Sequence, residues 1–88
     1  MTKPAGQKLL TIADALPGKK YVISHISGGH GLRSRLYAIG MVPNETFSVL
    51  NESGGGPVTL LVKGARIAIG MGVARKIIIR EAEKWSGK

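Results

Sequence analysis

Most of the chain alternates apolar and polar residues with a period of two. Tyr21 to Ser27 (YVISHIS) is rich in β-branched residues and predicts a first strand. Thr46 to Leu50 sets Phe47 and Val49 on one face and Thr46 and Ser48 on the other. Val58, Leu60 and Val62 alternate inward, Gly64 permits a tight hairpin, and Ala65 to Ile69 returns with Ile67 and Ile69 facing the core. Lys76 to Glu81 predicts a last strand, with Ile77 and Ile79 inward and Lys76, Ile78 and Arg80 outward. One stretch breaks this period. Leu32, Leu36 and Ile39 recur at helical spacing and predict a single apolar stripe. Gly28-Gly29 turns the chain into that helix, Gly40 sits where a left-handed C-terminal cap belongs, and Pro43 prevents continuation. Two smaller helical turns are expected. Thr11-Ile12-Ala13-Asp14 has the spacing of an N-cap with an acid three positions on, closed by Pro17-Gly18, and Gly70 to Ala74 forms the other.

The pattern is therefore mostly β: about five short strands with a short helix inserted after the first. Such strands tend to close into a small barrel, which removes exposed edges. Eighty-eight residues make one domain. Residues 1–8 read as a polar tail, 9–81 as the folded domain, and 82–88 as a second tail holding Trp85. Asn51 to Gly56 (NESGGG) is a flexible loop. Aromatics are few, so Ile, Val and Leu must build the core. The absence of cysteine excludes disulfides, zinc knuckles and thiol catalysis. No stretch approaches the roughly 18 apolar residues of a membrane span, nor does the N-terminus hold the apolar run of a signal peptide. A soluble, cytoplasmic protein is expected.

Charge changes this picture. Thirteen Lys and Arg against five Asp and Glu give a net +8 and a pI near 10.3. An anionic partner is implied: nucleic acid, an anionic membrane face or an acidic protein surface. Arg33 and Arg35 lie in the helix, with Tyr37 one turn after Arg33 on the same side, and form a candidate docking face; a plain solvated face is the alternative. Leu36 reads as core. Met41, just past the cap, either packs back on the helix or stands exposed, and is kept as a candidate contact. Lys63, Arg66, Arg75, Lys76 and Arg80 come from consecutive strands; Arg66 is expected on an outer face and joins the candidates. This basic wall could bind phosphates, but it has no aromatic stacking platforms, so a small nucleic-acid-binding barrel is the secondary reading. Self-association through a strand edge at Ile78 and Met71 is a third.

Chemistry is thin. His25 and His30 are the only histidines, five apart with no acid between them, so they are weak metal candidates, with Glu45 or Glu52 joining only through the fold. The glycine pairs and triplets lack the Gly-Lys-Ser/Thr of a phosphate loop. Ser24, His25 and Asp14 exist, but no pattern brings them together, so no catalytic residue is expected.

Several segments carry a family resemblance: Leu16-Pro17-Gly18, then Ile26-Ser27-Gly28-Gly29, then Arg35 to Pro43 (RLYAIGMVP), and in the second half Gly56-Pro57-Val58, Gly64 to Gly70 (GARIAIG), Ala74 and Ile77 to Ile79. In this order and spacing, from about Leu9 to Arg80, the chain resembles the ferrous iron transport protein A (FeoA) family. Asn44 stands where that family usually has glycine, and asparagine tolerates the same left-handed turn; Met71 stands where a charged residue often follows. The resemblance implies an SH3-like β-barrel with a helical insertion after its first strand. It implies an accessory role at the inner face of the membrane, docked on the cytoplasmic part of the ferrous iron transporter, the GTPase-permease called ferrous iron transport protein B. The same barrel occurs as an appended domain of metal-dependent repressors, which need a helix-turn-helix domain that this chain is too short to hold. On this reading Arg33, Arg35, Tyr37, Met41 and Arg66 contact the partner, and no cofactor is required beyond weak divalent metal binding.

Overall fold

The computed structural model describes residues 10–51 and 56–82. The expectations for tail 1–8, for Trp85 and the rest of 83–88, and for Glu52 and residues 53–55 lie outside the described residues. A single 3-10 turn at Ile12–Asp14 precedes β1 (Lys20–Ile26), α1 (His30–Ala38), β2 (Thr46–Asn51), β3 (Val58–Val62), β4 (Ala65–Ile69), α2 (Met71–Ala74) and β5 (Ile77–Glu81). The five strands form one antiparallel sheet in the order β4-β3-β2-β1-β5. The strands match the small barrel that the alternation predicts, in the SH3-like form that the family resemblance implies, with α1 inserted after β1 and α2 linking the two end strands.

Alternation determines what is buried. Phe47 and Val49 of β2 and Val58, Leu60 and Val62 of β3 all point inward. In β1 the inward positions are Tyr21, Ile23 and then Ile26, because a register shift between Ile23 and His25 resets the alternation. Tyr21 and Phe47 are cross-strand partners whose rings stack at 5.9 Å between centroids. The Tyr21 hydroxyl accepts the Leu16 N–H at 3.0 Å, so its burial leaves no polar group unpaired. Each large apolar side chain removed from water contributes about 1.5–3 kcal/mol.

The connections follow local chemistry. Asp14 accepts hydrogen bonds from the Thr11 N–H at 3.0 Å and the Thr11 hydroxyl at 3.1 Å, which holds the predicted first turn. The β3–β4 hairpin has a two-residue loop, Lys63 and Gly64, with φ of 52° and 81°. Positive φ at both positions marks a type I′ turn, whose twist matches the flanking strands. Gly40 has φ of 95° and donates to the Tyr37 carbonyl at 3.0 Å, while the Met41 N–H donates to the Leu36 carbonyl at 2.9 Å. This pair of bonds is the Schellman motif that ends α1.

The structure corrects two expectations about facing. Ile78 was expected outward, yet it is buried. The chain before the 3-10 turn lies along the outer edge of β5: Thr11 bridges to Ile78, and the Ile79 N–H donates to the Leu10 carbonyl at 2.8 Å. Ile78 therefore offers no exposed edge to a second copy, and Met71 packs against the core. Ile39 was expected to complete the apolar stripe of α1. The helix stops at Ala38, Ile39 becomes its C-cap, and its side chain stands 48% exposed.

Candidate docking surface

Helix α1 spends one buried residue, Leu36, and the half-buried Leu32 on the core. The remainder of its surface faces outward. Arg35 is exposed, Tyr37 is 41% exposed, and Ile39 extends the same C-terminal turn. No acidic residue lies in α1; Arg35 and Tyr37, two residues apart, stand on opposite flanks of the buried Leu36, and Ile39 lies at the cap between them and the next loop. Aromatic and Arg side chains of this kind anchor protein contacts.

Arg33 is placed differently from Arg35. Its guanidinium Nη1 donates to the Gly28 carbonyl at 2.7 Å, and the side chain is half-buried. It ties the helix back to the Gly28-Gly29 turn that precedes it. That turn is close-packed, since a Cβ at Gly28 would come within 2.8 Å of Leu32 Cδ2. Met41 is 0% exposed. Contrary to expectation it offers no surface to a partner: the residue after Gly40 in the Schellman motif, it lies in the same core cluster as Leu36. Arg66 is exposed on β4, on a separate element from α1, directly opposite Leu61.

Charge is unevenly balanced. Among the described residues each carboxylate is already engaged: Asp14 with Thr11, Glu45 with Lys63 at 3.3 Å, and Glu81 with Lys19 at 3.4 Å. Arg35 and Arg66 form no salt bridge among the described residues. Arg80 donates to Ser24 Oγ at 3.3 Å and to Asn44 Oδ1 at 3.5 Å, two neutral acceptors, and forms no salt bridge among the described residues. Asn44 itself takes φ of 73°, the left-handed conformation expected of it.

His25 is exposed on β1, opposite Ile78, and His30 is exposed as the first residue of α1. No group of three or more His, Cys, Asp or Glu gathers among the described residues, and the Glu45 carboxylate is committed to Lys63. Ser24 hydrogen-bonds Arg80 and Asp14 hydrogen-bonds Thr11, so neither is aimed at His25 as a relay. No helix among the described residues is long and apolar enough to cross a membrane.

Ile39 is the surface residue that periodicity missed. The signal lay in Gly40. A glycine just past the cap puts the preceding residue at the C-cap, beyond the last helical position, where the stripe no longer constrains it.

Comparison with known proteins agrees with this architecture. The model of the FeoA domain matches residues 10–81. A protein of Methanocaldococcus jannaschii provisionally named Fe(2+) transport protein A is 35% identical over 72 residues, covering 82% of this chain and 87% of that protein. The crystal structure of an iron uptake regulatory protein, FeoA, superposes with a TM-score of 0.78 at 33% identity, covering 85% of this chain and all of the other. The manganese-activated repressor ScaR, in its cadmium-bound form, matches with a TM-score of 0.73 at 21% identity; the match covers 86% of this chain and 37% of the repressor, and shows shared fold alone.

Proposed function

The chain belongs to the FeoA family, and on that premise we propose that it is a non-enzymatic accessory protein of ferrous iron uptake that docks on the cytoplasmic part of the ferrous iron transporter. The family places it in Fe(2+) transport. The observation that carries the docking reading is the C-terminal turn of α1 and its cap, where Arg35, Tyr37 and Ile39 stand exposed with no acid among them. Arg33 supports that face from behind through its bond to Gly28. The partner surface is acidic with an apolar centre, complementary to this helix. Docking acts on transport by shifting the transporter's conformational balance, which requires different affinity for its states. The protein works in the cytoplasm, held at the inner face of the membrane by its partner, and needs no resident cofactor.

Calorimetric titration into the purified cytoplasmic domain of the transporter, with a nonspecific DNA duplex in parallel, tests this reading. Saturable binding to the domain that survives moderate salt is expected. Tyr37→Ala weakens it by about 1–3 kcal/mol, and Arg35→Glu lowers affinity and its rate of formation. Tight, steeply salt-sensitive duplex binding without domain binding would replace the proposal with the nucleic-acid reading.

A further inference from the structure

We propose that the outer edge of β4 is a site for strand addition, and that its occupant is an extended acidic segment of a partner protein. This surface is separate from α1, and the inference does not depend on the transporter reading.

Strand β4 ends the sheet, and among the described residues its backbone makes no hydrogen bonds beyond its ladder with β3. The hairpin geometry determines which groups face outward. In a two-residue hairpin the flanking pair, here Val62 and Ala65, is the hydrogen-bonded one. By the alternation of the antiparallel ladder, Ile67 and Ile69 also bond toward β3, and the N–H and C=O groups of Arg66 and Ala68 point to the open edge. Unpaired groups of this kind are a template for another strand. Strand β4 holds no proline and no register irregularity; its one charged residue, Arg66, repels a basic strand and favours an acidic one.

Side chains specify the occupant. The strand register places Lys20, Ser48, Leu61 and Arg66 in one row across β1, β2, β3 and β4. An added strand extends that row by a residue directly opposite Arg66. The charged residues of the strands are Lys20, Arg66, Arg80 and one acid, Glu81, which lies on β5 at the far end of the sheet and pairs with Lys19, so no acid stands near Arg66 on β3 or β4. Opposite charges across a strand pair attract, and like charges directly opposite repel. A glutamate or aspartate therefore fits opposite Arg66, a small polar residue opposite Ala68, and an apolar one beside half-buried Ile67. A second copy fits poorly. It brings another +8 of charge, and its own β4 has no acid to place opposite Arg66. Backbone bonds would supply affinity and the alternate side chains specificity, as in other cases of strand addition.

The test is amide NMR of the isotope-labelled protein titrated with the capped hexapeptide Val-Thr-Val-Glu-Val-Thr. A lysine-for-glutamate version and a version N-methylated at the glutamate serve as comparisons. The expected result is saturable shifts centred on Arg66 and Ala68 with the glutamate peptide, about tenfold weaker binding of the lysine peptide, and none with the N-methylated one. Arg66→Glu, an exposed change, reverses the preference between the glutamate and lysine peptides. Equal binding of both peptides, shifts centred elsewhere or no shifts would overturn the proposal. Concentration-dependent shifts of the same amides without peptide would assign the edge to a second copy instead, and overturn it too.

Discussion

At one end of the sheet, β5 receives Leu10 and Thr11 along its outer edge; at the other, β4 receives nothing among the described residues. The two strands differ in the way this predicts. The β5 strand carries three consecutive isoleucines, Ile77, Ile78 and Ile79, all buried. An isoleucine edge left open would be an aggregation hazard. The chain finishes that end itself, with a segment held in place by the Thr11–Asp14 capping box. The β4 strand alternates exposed Ala65, Arg66 and Ala68 with only Ile69 fully buried. It tolerates water and keeps its backbone available. Among the described residues the chain covers one end of the sheet and leaves α1 and the β4 edge open.

The largest effect is expected at the covered end. Ile79→Ala removes a buried side chain that faces Ile23, and should cost about 2–5 kcal/mol in urea denaturation. Against a total of about 5–15 kcal/mol for a domain, that approaches unfolding. A loss below about 1 kcal/mol would show that this end is not part of the structural core. Asp14→Ala should cost about 1 kcal/mol by releasing the capping box. It should speed hydrogen exchange at the Ile79 amide, which bonds to Leu10, and leave the β3–β4 hairpin amides unchanged. Equal acceleration at both ends would mean that the ends are coupled rather than distinct. The smallest effect is expected at the open end. Arg66→Glu should stay within about 0.5 kcal/mol of the parent in the same denaturation experiment, because Arg66 is exposed and carries no salt bridge among the described residues.

Much of this was legible from residue order alone. Period-two alternation found β2, β3 and β4 because each strand has one buried face. Gly40, Asn44 and Gly64 occupy the left-handed positions that glycine and asparagine favour. What escaped depends on contacts distant in the chain. Ile78 reads as outward from β5 alone, and only the return of Leu10 and Thr11 to the far side of that strand buries it. The half-burial of Arg33 depends on a carbonyl in the preceding turn, for which the sequence carries no signal. Met41 and Ile39 were recoverable in principle, since both follow from reading Gly40 as part of a Schellman motif rather than as a simple stop. The resemblance to FeoA supplied the functional class, but which side chains reach a partner depends on three-dimensional exposure.

The most direct test of the account is amide NMR of the labelled protein mixed with the purified cytoplasmic domain of the transporter. Binding through the open surfaces predicts shifts concentrated on Arg35, Tyr37 and Ile39, with β5 and its Leu10–Thr11 cover unaffected. Shifts centred on the covered β5 end, or no binding at all, would contradict it.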